Sequence, residues 1–397
     1  MMSQEQSVAL NIIRREYEKL FEENWSFLTG GVMIGLMSIV TFAWARPWGV
    51  AGGIRNWGDW LFYWAGLYEA SPSPALTSSS SVLAIGLLWG ALAAALMARQ
   101  FSIRVAPRWE LAKGAAGGIF LGVGAALAGG CNVGGFYSSI GAFSLSGFSM
   151  MFGLLLGAYA GLKYLYWELE HLPSASSNGN DVAAEKKADF KNWQPAVGVG
   201  LILCAYWTKE IYTLGGYVIA GGLLLCGIAL GFIMHRSRFC FARCFREPFM
   251  TGDAAATRAV IISLLICALG FAVIKWAGLR SEYAFTAPSF GLGGLAGGFV
   301  FGFGMLLAGG CGSGTLWRAA EGEVKLMLAL ATFAISTSLT KSLIRSTEGM
   351  RSIIGQKVFL PDLVGYPLTM FCVVMVMTVW YFAVTWNEQT GYFVIDM

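Results

Sequence analysis

Apolar residues along this chain come in runs, most of them about 16 to 22 residues and near the length that fills a bilayer, separated by short polar, basic or aromatic joints. The runs predict an all-α polytopic membrane protein of about nine to ten spans: Leu28–Ala45, Val82–Ala98, Gly114–Gly130, Gly147–Tyr166, Ala196–Trp207, Thr213–Met234, Ala259–Ala277, Gly291–Gly310, Val324–Leu339 and Gly365–Trp386. Gly153, Gly157 and Gly161 form a small-residue stripe of the kind that lets membrane helices approach closely. Residues 1–25 are polar but place Ile12, Ile13, Tyr17, Leu20 and Phe21 on one helix face, the pattern of a helix lying on the membrane surface. Their glutamates outweigh Arg14, Arg15 and Lys19, so the segment does not read as a cleaved signal. Residues 46–80 are rich in Trp and Tyr and then in Ser and Pro, which predicts an interfacial segment and loop.

The polar stretches divide the chain. Residues 1–81 hold the surface helix, first span and aromatic loop; 82–166 form one repeat half, 167–195 a hydrophilic linker, 196–341 a second repeat half, and 342–397 a C-terminal segment with the last span. The two halves share one stretch. Leu127-Ala128-Gly129-Gly130-Cys131 recurs 180 positions later as Leu307-Ala308-Gly309-Gly310-Cys311. Upstream, Gly114, Gly117, Gly118, Gly122 and Gly124 fall opposite Gly294, Gly297, Gly298, Gly302 and Gly304; downstream, Gly134 falls opposite Gly314. A repeat carried in one register is a specific signal. The two copies are the third and eighth spans. An odd separation predicts opposite crossing directions, hence two inverted repeats with broken or re-entrant Gly-Gly-Cys helices and a ligand site at their interface.

Composition bears on what such a site can be. Of 397 residues, 56% are hydrophobic and 13% charged, and the mean hydropathy is +0.61. A formal net charge of +4 gives no case for a nucleic-acid partner; membrane lipid is the implied surrounding. Basic residues cluster at 99–113 and 235–258, which the positive-inside rule places in the cytoplasm together with the N-terminus. Lys341, Arg345, Arg351 and Lys357 then fall outside, against that rule. No nucleotide-binding or HExxH motif occurs, and two histidines with no CxxC predict neither metal nor cofactor. Cys204, Cys226, Cys267 and Cys372 lie in apolar runs and read as packing residues.

Cys131 and Cys311 read differently. A helix that breaks at Gly-Gly within a membrane frees backbone N–H and C=O groups, tolerated only where they are buried in protein or line a polar cavity. Short helices are expected after each break, over Val133–Ser139 and Thr315–Glu321, the latter capped by Ser313 or Thr315. Helix N-termini beside the thiols suit an anion, with Gly130, Gly310, Asn132 and Ser313 in support. A third thiol, Cys240, stands among Arg236, Arg238, Arg243 and Arg246 at the end of a span, with Cys244 one helical turn on. Those arginines read as anion-gathering groups or as an ordinary topology-setting loop. Arg318 and Glu321, near the second break, pair with each other or serve the site.

These three cysteine motifs in this order, LAGGC twice and RSRFCFARCFRE between, resemble the YeeE/YedE family of bacterial membrane proteins, the sulphur-transport domain family. The resemblance runs from about 82 to 340. It implies a bacterial inner-membrane thiosulfate importer of many short helices with an hourglass pathway, and marks Cys131, Cys240 and Cys311 as its functional cysteines. It also implies a small TusA-like sulphur-carrier protein as partner, and in some relatives a link to selenium. Neutral thiols are weak donors able to offer hydrogen bonds to a sulphur anion without opposing its charge, and weak sites release what they bind. The leading expectation is therefore a transporter or channel for thiosulfate or a related sulphur anion. The alternatives are a sulphurtransferase forming a persulfide on Cys240 or Cys311, a selenium-compound transporter, and a non-transporting anchor of a sulphur-handling complex.

Overall fold

The computed structural model describes residues 15–171, 185–186, 192–287, 289–347, 349 and 354–395. Ile12 and Ile13 of the expected surface helix, and most of the 167–195 linker, lie outside them. The described chain is helical apart from two-residue strands and isolated bridges. In order it forms α1 Phe27–Trp44, α2 Ala51–Trp64, α3 Ser79–Met97, α4 Arg108–Ala128, α5 Ser138–Gly141, α6 Leu145–His171, α7 Gln194–Leu214, α8 Val218–Arg236, α9 Phe241–Met250, α10 Ala255–Trp276, α11 Leu292–Ala308, α12 Gly312–Glu321, α13 Val324–Ser346, α14 Leu360–Val364 and α15 Tyr366–Thr390. A π-helical turn, Asn132–Tyr137, precedes α5.

Among the described residues nine helical stretches are long and apolar enough to cross a membrane, three of them broken: Arg108–Gly141, Val218–Met250 and Leu292–Glu321. Helix α7 is less apolar but flanks α3 from end to end. Gln194 Nε2 donates to the Phe101 carbonyl (3.1 Å), Trp89 Nε1 to the Leu201 carbonyl (3.0 Å) and the Tyr212 hydroxyl to the Leu76 carbonyl (2.6 Å). Its boundaries correct the expected ones. Lys209 and Glu210 do not end the helix but pair on its surface (2.8 Å), and the chain turns at Gly215-Gly216, where Gly216 takes a positive φ of 80°. The aromatic segment after α1 also departs from expectation. It contains the helix α2, which buries Gly53, Ile54, Asn56 and Gly58. Three glycines lower its helix propensity and mask it in the sequence; packing against α3 and α13 overrides that.

Glycine decides which helices touch. A Cβ on Gly157 would run into the Phe299 carbonyl, and one on Gly298 would stand 2.5 Å from the Met150 carbonyl, so α6 and α11 pack backbone to backbone. The two Gly-Gly-Cys helices also pack on each other: Gly117 meets Ala308, and Gly124 and Ala128 meet Gly297. Numbers rise along α4 as they fall along α11, so the two run antiparallel. The other contacts come in matched pairs. Helix α1 packs on α10 as α8 packs on α3; α4 packs on α13 as α11 packs on α6.

Candidate functional site

Each Gly-Gly-Cys helix stops on a left-handed glycine, Gly129 (φ 75°) and Gly309 (φ 81°), a conformation that side-chain-bearing residues rarely adopt. The freed carbonyls are satisfied differently. Ser289 Oγ donates to the Ala128 carbonyl (2.7 Å), and Arg318 Nη1 to the Gly309 carbonyl (2.6 Å). Two residues on, Cys131 and Cys311 are extended (ψ 178° and −178°) and begin the next helical turn, with Gly135 N–H bonded to the Cys131 carbonyl (2.6 Å) and Thr315 N–H to that of Cys311 (2.8 Å). Helix α12 is capped by the Cys311 sulphur, which accepts from Gly314 N–H at 3.3 Å, and not by Ser313 or Thr315. Thr315 Oγ1 instead donates to the Gly312 carbonyl, and Ser313 Oγ lies 3.6 Å from the Cys311 sulphur.

Although α4 and α11 end on opposite sides of their shared contact, the two tips turn inward and meet. A Cβ on Gly312 would stand 2.9 Å from Cys131 Cβ, and Gly312 N–H donates to Asn132 Oδ1 (3.3 Å). The third cysteine joins them. Cys240 starts α9 just after Arg238, which holds a positive φ of 51°, and its sulphur lies 3.6 Å from that of Cys311. Gly314 makes room for this pair, since its Cβ would fall 3.0 Å from the Cys240 sulphur and 3.1 Å from that of Cys311. All three thiols are buried. Gly130 tucks against Gly135 in the turn that follows it, and Gly310 lies against Leu326 of α13.

A cavity flanks each end of this thiol cluster. One of about 280 Å³ is lined by Cys240, Arg238, Arg243, Arg246, Gly309, Trp317, Arg318 and Glu323. Of the arginines foreseen there, Arg238, Arg243, Arg246 and Arg318 line it and Arg236 does not. Arg236 is fully buried, and its guanidinium holds the Glu23 carbonyl while its own carbonyl accepts from Trp25 N–H (2.9 Å), tying down the chain before α1. Nor does Arg318 pair with Glu321: Arg318 bonds Glu323 (2.8 Å), while buried Glu321 joins Arg104 (2.9 Å) and Arg238 (2.7 Å). Arg243 and Arg246 both reach Glu247 (3.3 and 2.6 Å), so carboxylates offset much of the positive charge. Buried Cys244 accepts from the Thr257 hydroxyl through its carbonyl and does not line either cavity.

The other cavity, about 150 Å³, is lined by Cys131, Gly129, Gly130 and Gly134 together with Arg46, Arg55 and Lys341. These three cations were not foreseen as site residues. Arg46 donates to Ser80 Oγ (2.6 Å) and lies over the Phe285 ring, and Arg55 pairs with Asp59 (3.4 Å). Burial pulls the Arg46 guanidinium below its ordinary value, because a desolvated cation is disfavoured. Lys341, out of place under the positive-inside rule, lines the same cavity as the first thiol. A signal for Arg55 exists at a second offset. Aligned 191 positions apart, Gly30-Gly31 fall opposite Gly221-Gly222, Ala51 opposite Ala242, Arg55 opposite Arg246, and Gly49 opposite Cys240. Gly49 indeed lies against Gly134, as Cys240 lies against Gly314.

Fold and site together define a polytopic α-helical membrane protein whose broken helices bring buried thiols between two basic cavities. The chain belongs to the family described as Sulphur transport, whose model matches residues 3–160 and 236–392. It is 27% identical over 315 residues to the protein named probable transporter YedE of Escherichia coli (strain K12), covering 76% of this chain and 77% of that one. Over 119 residues it is 36% identical to the thiosulfate transporter TsuA of the same organism, covering 30% of this chain and 33% of that one. The corresponding figure for the TsuA of Spirochaeta thermophila is 33% over 119 residues, covering 30% and 36%.

Proposed function

We propose that this chain carries a sulphur-containing anion of the thiosulfate class across the bacterial inner membrane through the three-thiol centre. The observation that carries this reading is the meeting of the tips: Cys131 against Gly312, and Cys240 3.6 Å from Cys311, with a basic cavity on each side. The antiparallel packing of α4 on α11 and the matched helix pairs support a pair of inverted repeats, the plan in which a ligand site forms at the repeat interface. An arriving dianion is drawn by Arg46, Arg55 and Lys341, gives up water to the glycine-rich backbone around Cys131, and passes to Cys311 and Cys240. Each thiol offers a weak S–H hydrogen bond, so no single site holds the ion too firmly for release. The cavity beside Cys240 is the exit, where arginines already paired to Glu247, Glu321 and Glu323 guide the anion without trapping it. The basic segment around Arg238 faces the cytoplasm in this reading, and so does the N-terminus.

The 3.6 Å separation of Cys240 and Cys311 also suits a second reading. In that one, the thiolate of Cys240 or Cys311 takes the outer sulphur of thiosulfate as a persulfide while sulphite leaves, and the neighbouring thiol hydrogen-bonds the new persulfide. Liposomes holding the purified protein separate the two. Uptake of radiolabelled thiosulfate with no persulfide mass on either cysteine supports carriage. Persulfide formation without uptake overturns it.

A further inference from the structure

Besides the thiols, Ser313 and Thr315, the meeting point of the tips holds the side chain of Asn132. Asn132 is completely buried. Its orientation follows from chemistry: Gly312 N–H needs an acceptor, so Oδ1 faces it at 3.3 Å and the NH₂ group points elsewhere. Nδ2 is buried and has no partner. A buried donor left unpaired opposes folding, and such an exception points to a missing acceptor. The position is singular. At the same place in the second tip stands Gly312, whose missing side chain admits Asn132 and Cys131.

We propose that the Asn132 amide holds the oxygen end of the anion at the crossing point and thereby selects oxyanions of sulphur over oxygen-free sulphides. The inference rests on the transport reading. Sulphur acceptors are served by the thiols next to Asn132 and across from it, but a sulphonate-like group carries three oxygens that S–H donors satisfy poorly. An amide N–H supplies the stronger donor, fixed in place by the Oδ1 bond to Gly312. An ion such as hydrosulfide leaves that donor unpaired, and a site built to bond a group discriminates against a ligand that lacks it.

Two variants in the liposome assay test this. Asn132→Asp keeps the acceptor for Gly312 N–H and the size of the side chain but removes the donors. Asn132→Leu removes both functions. Labelled thiosulfate is the substrate and hydrosulfide the competitor. For Asn132→Leu the expected result is a rise of about tenfold or more in the thiosulfate KM with the hydrosulfide inhibition constant changed less than about twofold. Asn132→Asp is expected to lose thiosulfate uptake at least as far. Wild-type kinetics in Asn132→Asp would overturn the inference, since they would reduce the residue to a prop for Gly312. Equal loss of thiosulfate and hydrosulfide binding in Asn132→Leu would do the same. A wild-type protein that moves no thiosulfate would instead overturn the transport reading beneath it.

Discussion

The two Gly-Gly-Cys tips share a backbone and differ in what surrounds it. Both break on a left-handed glycine, both run extended through the cysteine, and both restart a helix at the next residue. Around the first tip there is one thiol, an amide whose NH₂ lacks a partner and three cations, of which Arg55 pairs with Asp59, and Gly49 stands where a further side chain would enter. Around the second there are two thiols and arginines largely matched by glutamates. The difference teaches that one backbone pattern can be set in two unlike surroundings, because the side chains around it come from other helices. In the proposed reading the first tip gathers the ion and the second hands it on.

Four results would break or sharpen that contrast, and the largest effect is expected at the thiols. Cys131→Ala, Cys240→Ala and Cys311→Ala should each lower initial thiosulfate uptake by about tenfold or more, the scale of one lost hydrogen bond to an ion. Cys204→Ala, on an exposed helix face, and Cys372→Ala should stay within about twofold. Equal losses in both sets would remove the role given to the thiol cluster.

Next come the paired glycines. Gly314→Ala places a methyl 3.0 Å from one sulphur and 3.1 Å from another, whereas the same methyl on Gly134 finds its nearest neighbour, the Phe285 ring, at 3.9 Å. Uptake should fall about fivefold to tenfold for Gly314→Ala, consistent with the cost of overpacking, and less than about threefold for Gly134→Ala. The reverse order would mean that the first tip, not the second, is the tighter of the two.

The cations should separate by face. Arg55→Ala should raise the thiosulfate KM by about threefold to tenfold, with the effect shrinking as salt screens the cavity. Arg243→Ala should change KM by less than about threefold, because Arg238, Arg246 and Arg318 still line that cavity after it is gone. Kinetics at low and high salt decide this.

The smallest effect concerns the helix ends. Ser289→Ala strips the Ala128 carbonyl of its partner and should cost about 1 kcal/mol of stability, read as a small fall in the thermal unfolding midpoint in detergent. Arg318→Ala should cost more, since it frees both the Gly309 carbonyl and Glu323.

How far the sequence could be read follows from the range of the interactions. Runs of apolar residues announce crossing helices, because membrane insertion depends on a continuous stretch of chain. The glycine breaks are equally local, since a left-handed φ at Gly129 and Gly309 is a property of single residues. That is why Cys131 and Cys311 stand out in the sequence, whereas Cys240 is marked by the arginines around it and by its motif. Their meeting in space was an extrapolation from an odd count of spans, and that count leaned on α7, whose ends were misjudged because Lys209 and Glu210 resemble a loop until their surface pairing is seen.

What the chain by itself determined was the kind of protein, the places where its helices break, and the sulphur atoms at those breaks. Only the tertiary structure decided which charges keep company with them. Arg236 anchors the N-terminal segment, Glu321 holds Arg104 and Arg238, and Arg46, Arg55 and Lys341 line the cavity that the first thiol shares. A charge's role depends on the partner within a few ångströms, and these partners come from segments as much as two hundred residues away, which helix packing through glycine contacts brings together.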